Sequence, residues 1–185
     1  MMPDPVHHLF TPADAEAPQR VARLRELGLG ERPEPEFDEF ARAMAAAAKT
    51  PLAMVNLIGE DRQYFAGLHA PALVQGSPGT AAGPDDPARF MGKDQGWCPH
   101  VVARRLPMVL GDVCAYPRFA GNPVVDQLGI RAYMGAPLID PTGIVLGTVC
   151  VVDVEQRPWS RDGLAFIKDQ AARMIAIINQ RNRRG

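Results

Sequence analysis

RAYMGAPLIDPTGIVLGTVCVVD, residues 131 to 153, consists of two apolar segments joined by one well-specified turn. The turn, Asp140-Pro141-Thr142-Gly143, begins with a turn-initiating Asp, continues with a Pro of fixed φ and ends with a Gly that accepts positive φ. A turn of this composition between two apolar segments predicts a β-hairpin.

The second strand of this hairpin is apolar on both of its faces. One alternating set comprises Ile144, Leu146, Cys150 and Val152, and the other comprises Val145, Val149 and Val151. Because neither set is suited to water, we expect the strand at the centre of a sheet with a layer packed on each face. Gly135 and Gly147 interrupt the hairpin, which favours either a β-bulge or the close approach of a ligand or another segment.

Composition restricts the class of protein. A chain of 185 residues with 46% hydrophobic residues is expected to form one domain with one core. Its net charge of −1, without an extended basic stripe, argues against nucleic-acid binding. No apolar stretch is long enough for a membrane span or an export signal, so we expect a cytoplasmic protein without a membrane partner. Three cysteines without paired spacing fit a reducing compartment better than a disulfide framework.

Apolar periodicity places the remaining elements. Helices are predicted for Pro18 to Leu27, Glu36 to Lys49 and Trp97 to Leu106, and strands for Leu52 to Ile58, Gln63 to Leu68 and Pro107 to Val113. A last helix is expected after Ser160 as N-cap, with Trp159 packed on Leu164 and an apolar stripe extending to Ile178. Residues 1–17 are expected to be a flexible N-terminus, 18–180 a single domain, 69–96 a long irregular loop or lid, and 181–185 a basic tail.

Four segments of the chain resemble GAF domains. They are FDEFARAMAAAAKTPLAMVNLIGEDRQYFAGL (Phe37 to Leu68), WCPHVV (Trp97 to Val102), PMVLGDVCAYPRFAGNPVV (Pro107 to Val125) and IRAYMGAPLIDPTGIVLGTVCVVDVEQRPWS (Ile130 to Ser160). The likeness is to the subtype found at the front of bacterial sensor histidine kinases and diguanylate cyclases. It implies an α+β fold of GAF/PAS-like type, with a central antiparallel β-sheet, helices on one face, and loops plus a short helix on the other.

The resemblance also implies a function. Relatives of this kind are non-catalytic sensory or regulatory domains, so we expect the chain to bind an unidentified small molecule, with no cofactor required by the sequence. Signalling would proceed through a homodimer formed by the terminal helices or through a separate signalling protein. Two departures are the long 69–96 loop and the absence of a following output domain, which suggests a stand-alone protein. The alternative to a ligand-binding sensor is a ligand-free dimerisation or protein-interaction module.

Five residues are candidates for ligand contact. Cys98 and His100 would lie on the first turn of a short helix, where a thiolate is favoured, although a buried Cys is also common as plain packing. Asp112, Arg131 and Tyr133 are polar groups in apolar strand surroundings and could orient a ligand, or they could cap a turn, face solvent and fill the core.

The enzyme alternative is a GAF-fold free methionine-R-sulfoxide reductase that uses Cys98. Its chemistry requires an attacking thiolate beside a second thiol. The segment that carries the attacking Cys in that family is RFAGNPVVDQLG here and contains none, so no catalytic residue is predicted. Too few Cys and His residues cluster for a metal site, and the motifs that hold a tetrapyrrole are not recognisable.

Overall fold

A computed structural model of the chain describes residues 11–70 and 87–185. Its centre is a six-stranded antiparallel sheet in the order β3-β2-β1-β6-β5-β4. The strands are β1 (Leu52–Ile58), β2 (Arg62–His69), β3 (Phe90–Gly92), β4 (Met108–Leu110), β5 (Ala132–Ile139) and β6 (Val145–Asp153). The helices are α1 (Ala17–Glu26), α2 (Pro35–Ala48), α3 (Cys98–Arg104), α4 (Pro117–Ala120), α5 (Pro123–Leu128) and α6 (Arg161–Arg184). Among the described residues, no helix has both the length and the apolar character needed to cross a bilayer.

The predicted hairpin is confirmed as β5 and β6. Gly143 takes φ +87°, and the Asp140 carboxylate accepts hydrogen bonds from the backbone N–H of Thr142 at 2.9 Å and of Ile144 at 3.2 Å. Every residue of β6 is buried, because β1 and β5 flank the strand and a layer covers each face. These backbone N–H groups of the turn therefore find their hydrogen-bond acceptor within the turn itself.

The alternation predicted along β6 is wrong at its first residues. A register shift opposite Pro137 to Ile139 places Leu146 on the same face as Val149, while Val145 lies on the face of Cys150. A β-bulge inserts one residue into a strand and so reverses the alternation beyond it.

Three helices cover one face of the sheet. α1 and α2 pack on β1, β2 and β6, and α6 packs on β5, β6 and β4. The apolar stripe of α6 is buried at Ile167, Ala171, Met174 and Ile178. The predicted capping differs in detail: Ser160 occupies the N-cap without a side-chain hydrogen bond, and Leu164 is 38% exposed instead of packing in a staple. Burial of this apolar stripe therefore holds α6 against the sheet.

Short helices and connecting segments cover the opposite face, as expected for the α+β arrangement. α3, α4, α5 and the segment between β3 and α3 form this layer, which packs against the sheet, including β4. The predicted 69–96 loop is structured near its end, where a 3-10 turn precedes β3 and β3 pairs with β2. Residues 71–86 of that predicted loop lie outside the described residues. The strand predicted over Pro107 to Val113 is limited to β4, because a 3-10 helix begins at Val113.

Candidate functional site

A cavity of about 270 Å³ lies between the sheet and the segments that cover it. The sheet lines it with Leu52, Met54, Phe65, Met91, Tyr133 and Val152, and the cover lines it with Trp97, Cys98, Val124 and Leu128. Met54 is the one β1 residue that is not fully buried, since its side chain faces this space. The sheet thus supplies the floor, and the segment between β3 and α3 together with α3 and α5 supplies the roof.

The cavity wall is aromatic and apolar. Four aromatic side chains line it, namely Phe65, Phe90, Trp97 and Tyr133. The rings of Trp97 and Tyr133 are in contact, with centroids 5.3 Å apart and planes inclined by 50°. Among the described residues, no Asp, Glu, Lys, Arg or His side chain lines the cavity. The space therefore favours burial of apolar groups and offers no counter-ion to a charged one.

A thiol cluster forms one end of the cavity. The Cys98 Sγ lies 3.1 Å from the Tyr133 Oη, 3.1 Å from the Thr148 Oγ1 that donates to it, and 3.6 Å from the Cys150 Sγ. Burial opposes ionisation of Cys98, but hydrogen bonds with Cys150, Thr148, Tyr133 and Asn56 outweigh it and lower the pKa of its thiol to about 7. The hydrogen bond to Cys98 and burial raise the pKa of Cys150, so Cys98 is the thiol of the pair that ionises first.

Two glycines of the hairpin make this cluster and the bulge possible. A Cβ on Gly135 would lie 2.2 Å from the Tyr133 Oη, and a Cβ on Gly147 would lie 1.9 Å from the backbone oxygen of Asn56. Gly135 therefore makes room for the tyrosine hydroxyl that reaches Cys98, and Gly147 makes room for the backbone of β1.

Polar side chains hold the roof on the sheet. The Gln63 Oε1 accepts a 2.7 Å hydrogen bond from the Asn56 Nδ2, and the Gln63 Nε2 donates to the carbonyls of Gly92 and Gln95 at 2.7 Å each. Sequence reasoning missed both residues, although each is a polar residue in an apolar strand, LAMVNLI and RQYFAGLH. A buried amide within such a strand is a signal that its hydrogen bonds are met by another segment.

Asn122 ties two parts of the roof together, namely the segment before α3 and the start of α5. Its side chain donates to the Gly96 carbonyl at 2.7 Å and accepts from the Gly96 N–H at 2.8 Å, and it also caps α5 by accepting from the Val124 N–H. Asn122, within the family-like segment Pro107 to Val125, thereby positions the cavity roof.

An ion-pair network connects the roof to the N-terminal helix. The Lys93 Nζ lies 2.7 Å from the Asp14 carboxylate, which also accepts two hydrogen bonds from the Arg20 guanidinium at 2.8 and 2.9 Å. Arg20 is fully buried and its Nε donates to the Val145 carbonyl of β6. Lys93 lies between the lining residues Met91 and Gln95, so this network links cavity, sheet and α1.

The structure separates the five predicted candidates. Cys98 and Tyr133 line the cavity and contact each other, whereas His100, Asp112 and Arg131 do not line it. Burial and the charges of two arginines lower the pKa of His100, whose ring packs edge-on against Phe119 at 5.3 Å.

Asp112 and Arg131 form a separate surface cluster. The Asp112 Oδ1 accepts from the Cys114 N–H at 3.0 Å and from Arg131 at 3.3 Å, and its Oδ2 accepts from Gln156 at 3.0 Å. Asp112 thus caps a 3-10 helix, and the Arg131 side chain is 38% exposed. Cys114 is exposed and the nearest thiol to Cys98 is Cys150, a pairing that the sequence did not suggest. In the described part of the chain, no group of three or more Cys, His, Asp or Glu side chains is arranged to hold a metal ion.

Comparison with known proteins agrees with this architecture. The family model for the GAF domain matches residues 32–178. A cyclic di-GMP phosphodiesterase of Pseudomonas aeruginosa is 29% identical over 163 residues, which are 86% of this chain and 25% of that protein. This chain therefore spans only a quarter of that relative's length.

Solved structures share the fold at low sequence identity. The GAF domain of a phosphoenolpyruvate-protein phosphotransferase from Coxiella burnetii superposes with a TM-score of 0.61 at 15% identity, over 92% of this chain and 96% of that one. A free methionine-R-sulfoxide reductase from Neisseria meningitidis, solved with its substrate, superposes with a TM-score of 0.57 at 16% identity, over 96% and 98% of the two chains. Both likenesses concern the fold.

Proposed function

The chain belongs to the GAF domain family, and from this premise we propose that it is a non-catalytic sensory domain that binds a small molecule in the cavity above its sheet. The cavity is the observation that supports the proposal. It is concave, largely apolar and already formed, and a few polar groups converge on it, as is typical of small-ligand sites. Fold alone does not identify a function, whereas the shape and the lining of this cavity point to a small ligand.

Ligand binding is coupled to the terminal helices by two routes. In β5 and β6, Tyr133 and Val152 face the cavity while their neighbours Met134 and Val151 face the helical layer. The Met134 Sδ lies against the first turn of α6, beside Gly163. The second route is the Lys93–Asp14–Arg20 network, which ties the cavity roof to α1. A ligand that favours one position of the roof would shift the populations of both helices.

The signal would be passed to another polypeptide surface. We propose that α1 and α6 form a homodimer or contact a separate signalling protein, as in the subtype that precedes histidine kinases and diguanylate cyclases. The likeness to a cyclic di-GMP phosphodiesterase supports a role in regulation. Light scattering tests the dimer: a homodimer has twice the chain mass of 20.1 kDa, and a mass of 20.1 kDa at micromolar concentration would contradict it.

A thiol-dependent reductase is the second candidate, because Cys98 lines the cavity and lies 3.6 Å from a second thiol. Consumption of free methionine-R-sulfoxide in the presence of dithiothreitol, abolished by Cys98→Ser, would support it. The lining formed by the described residues carries no charge, which argues against it, since a free amino acid brings an ammonium and a carboxylate that both need partners.

A cavity-filling variant tests the sensory proposal. Met54→Trp replaces a thioether on the cavity floor with a bulkier indole ring that fills the cavity. Leu164→Trp introduces the same indole at an exposed position of α6, on the other side of the sheet. Melting temperatures would be measured with cyclic AMP, cyclic GMP, cyclic di-GMP, L-methionine sulfoxide and quinolin-2-one. A ligand at one hundred times its Kd should raise the melting temperature by roughly 5–10 °C for a chain of this size.

The expected pattern is a shift in the wild type and in Leu164→Trp that is lost in Met54→Trp. A shift of equal size in all three proteins would show that binding occurs outside the cavity. The absence of any shift across the panel would refute the sensory proposal in this form.

A further inference from the structure

The residues that line the cavity restrict the chemistry of the ligand that it can hold, on the premise of the proposed function that the cavity is a binding site. Its described lining is free of Asp, Glu, Lys, Arg and His side chains. Nearby charges are already paired elsewhere, since Lys93 binds Asp14 and Arg131 binds Asp112. A buried ion without a partner is strongly unfavourable, so a phosphate, carboxylate or ammonium group is poorly accommodated.

The polar groups of the cavity are mostly engaged with each other. The Gln63 amide bonds to Asn56 and to two backbone carbonyls, and the Tyr133 hydroxyl bonds to Cys98. Among the described residues that line the cavity, the exception is Trp97, whose side chain is 1% exposed and leaves its Nε1–H without a hydrogen-bond partner. The Asn56 Oδ1 is also buried and unpaired, but Asn56 does not line the cavity. An unpaired buried donor is costly, and a ligand acceptor would satisfy it.

Volume and wall chemistry restrict the shape. A space of about 270 Å³ lies just below the usual range of small-ligand pockets, roughly 300–1,000 Å³, which suits a compound of two or three fused rings better than a dinucleotide or a tetrapyrrole. Aromatic rings and the thioethers of Met54 and Met91 form the walls, and such groups pack well on flat aromatic faces.

We infer that the ligand is an uncharged, planar aromatic molecule with one hydrogen-bond acceptor, a carbonyl or ring nitrogen, that pairs with the Trp97 Nε1–H. The aromatic lining takes up the ring system, and the indole N–H fixes its orientation. Gln95 and Gln127, the less buried polar residues of the lining, are available to a second polar group near solvent.

Three probes separate the elements of this inference. Quinolin-2-one is neutral, planar and has a carbonyl acceptor; naphthalene has the same ring frame without an acceptor; naphthalene-2-carboxylate has acceptors and a charge. Calorimetric titration of the purified chain should give binding of quinolin-2-one, roughly five- to tenfold weaker binding of naphthalene, and none of the carboxylate, cyclic AMP or cyclic di-GMP.

Trp97→Phe removes the donor and keeps an aromatic ring. It should lower the affinity for quinolin-2-one to that of naphthalene and leave naphthalene nearly unchanged. A second measurement needs no variant: the chain has two tryptophans, so ¹H–¹⁵N spectra should show the Trp97 indole N–H moving downfield with quinolin-2-one while the Trp159 indole stays fixed.

The outcomes distinguish this inference from the function that underlies it. Binding of the carboxylate or a cyclic nucleotide that is lost in Met54→Trp would overturn the uncharged-ligand inference and leave the sensory proposal standing. Equal affinity for quinolin-2-one and naphthalene, or an unmoved Trp97 resonance, would overturn the role of Trp97. Failure of every probe to bind would overturn both.

Discussion

Replacing Asp14 with Asn tests whether the ion-pair network secures α1 and the cavity roof. Burial raises the pKa of Asp14, but hydrogen bonds from Arg20 and Lys93 outweigh it and lower the pKa from 3.8 to about 2. That difference corresponds to about 2 kcal/mol of stability at neutral pH. Asn keeps the shape and loses the charge, so the fully buried Arg20 loses its counter-ion.

Urea denaturation followed by circular dichroism measures the effect. With an m-value of roughly 2 kcal/mol per molar, Asp14→Asn should lower the midpoint by about 1 M at pH 7. Because the pKa is lower in the folded state, the stabilisation is complete above the unfolded-state value of 3.8 and is lost as the pH falls towards about 2. The gap between wild type and variant should therefore narrow steadily from pH 5 to pH 2.

Asp169→Asn is the matched control. Asp169 pairs with Arg173 on the solvent side of α6, where the two side chains are 56% and 68% exposed, so its loss should change stability by less than about 0.5 kcal/mol. The reasoning is refuted if Asp14→Asn behaves like this control, or if its deficit at pH 7 persists unchanged at pH 2.

Two further predictions concern the hairpin and the thiols. Gly147→Ala should destabilise the chain by about 3 kcal/mol or more in the same urea assay, because the new Cβ would clash with the Asn56 carbonyl. Gly143→Asn should cost less than about 1 kcal/mol, because the space around Gly143 is open and Asn tolerates its positive φ. Similar losses of stability in both variants would contradict the steric account. With Ellman's reagent, the native chain should show one reactive thiol, that of the exposed Cys114, and this reaction should disappear in Cys114→Ser. In urea all three thiols should react, because Cys98 and Cys150 are buried only in the folded chain. Rapid labelling of a second thiol in the native state would contradict this burial.

Local chemistry made much of the fold predictable from sequence. The Asp-Pro-Thr-Gly turn determines its own hydrogen bonds, so the hairpin and its centre were predicted with the observed bounds to within a residue or two. The α1, α2 and α3 predictions agree with the structure to within two residues for a similar reason, since a periodic apolar face and a Pro in the first turn act within one helix.

Non-local contacts explain the errors. The shift that reverses Val145 and Leu146 accompanies the contact between Gly147 and the carbonyl of Asn56, which lies 91 positions away in the chain. β3 has three residues and no periodicity, so only its pairing with β2 defines it. Sequence patterns do not contain the geometry of a distant backbone.

The candidate site was predicted in part because residue type is a poor guide to where a polar group lies. Asp112 and Arg131 satisfy each other at the surface, while the polar residues that shape the cavity are the amides of Gln63 and Asn56. The Gln63 amide is consumed in bonding to Asn56 and to two carbonyls beside the cavity, which leaves aromatic surface, the Trp97 indole N–H and the more exposed Gln95 and Gln127 to meet a ligand. The proposed recognition by shape and a single main donor needs a roof held in register, so Asn122, which positions the roof without lining the cavity, should affect specificity.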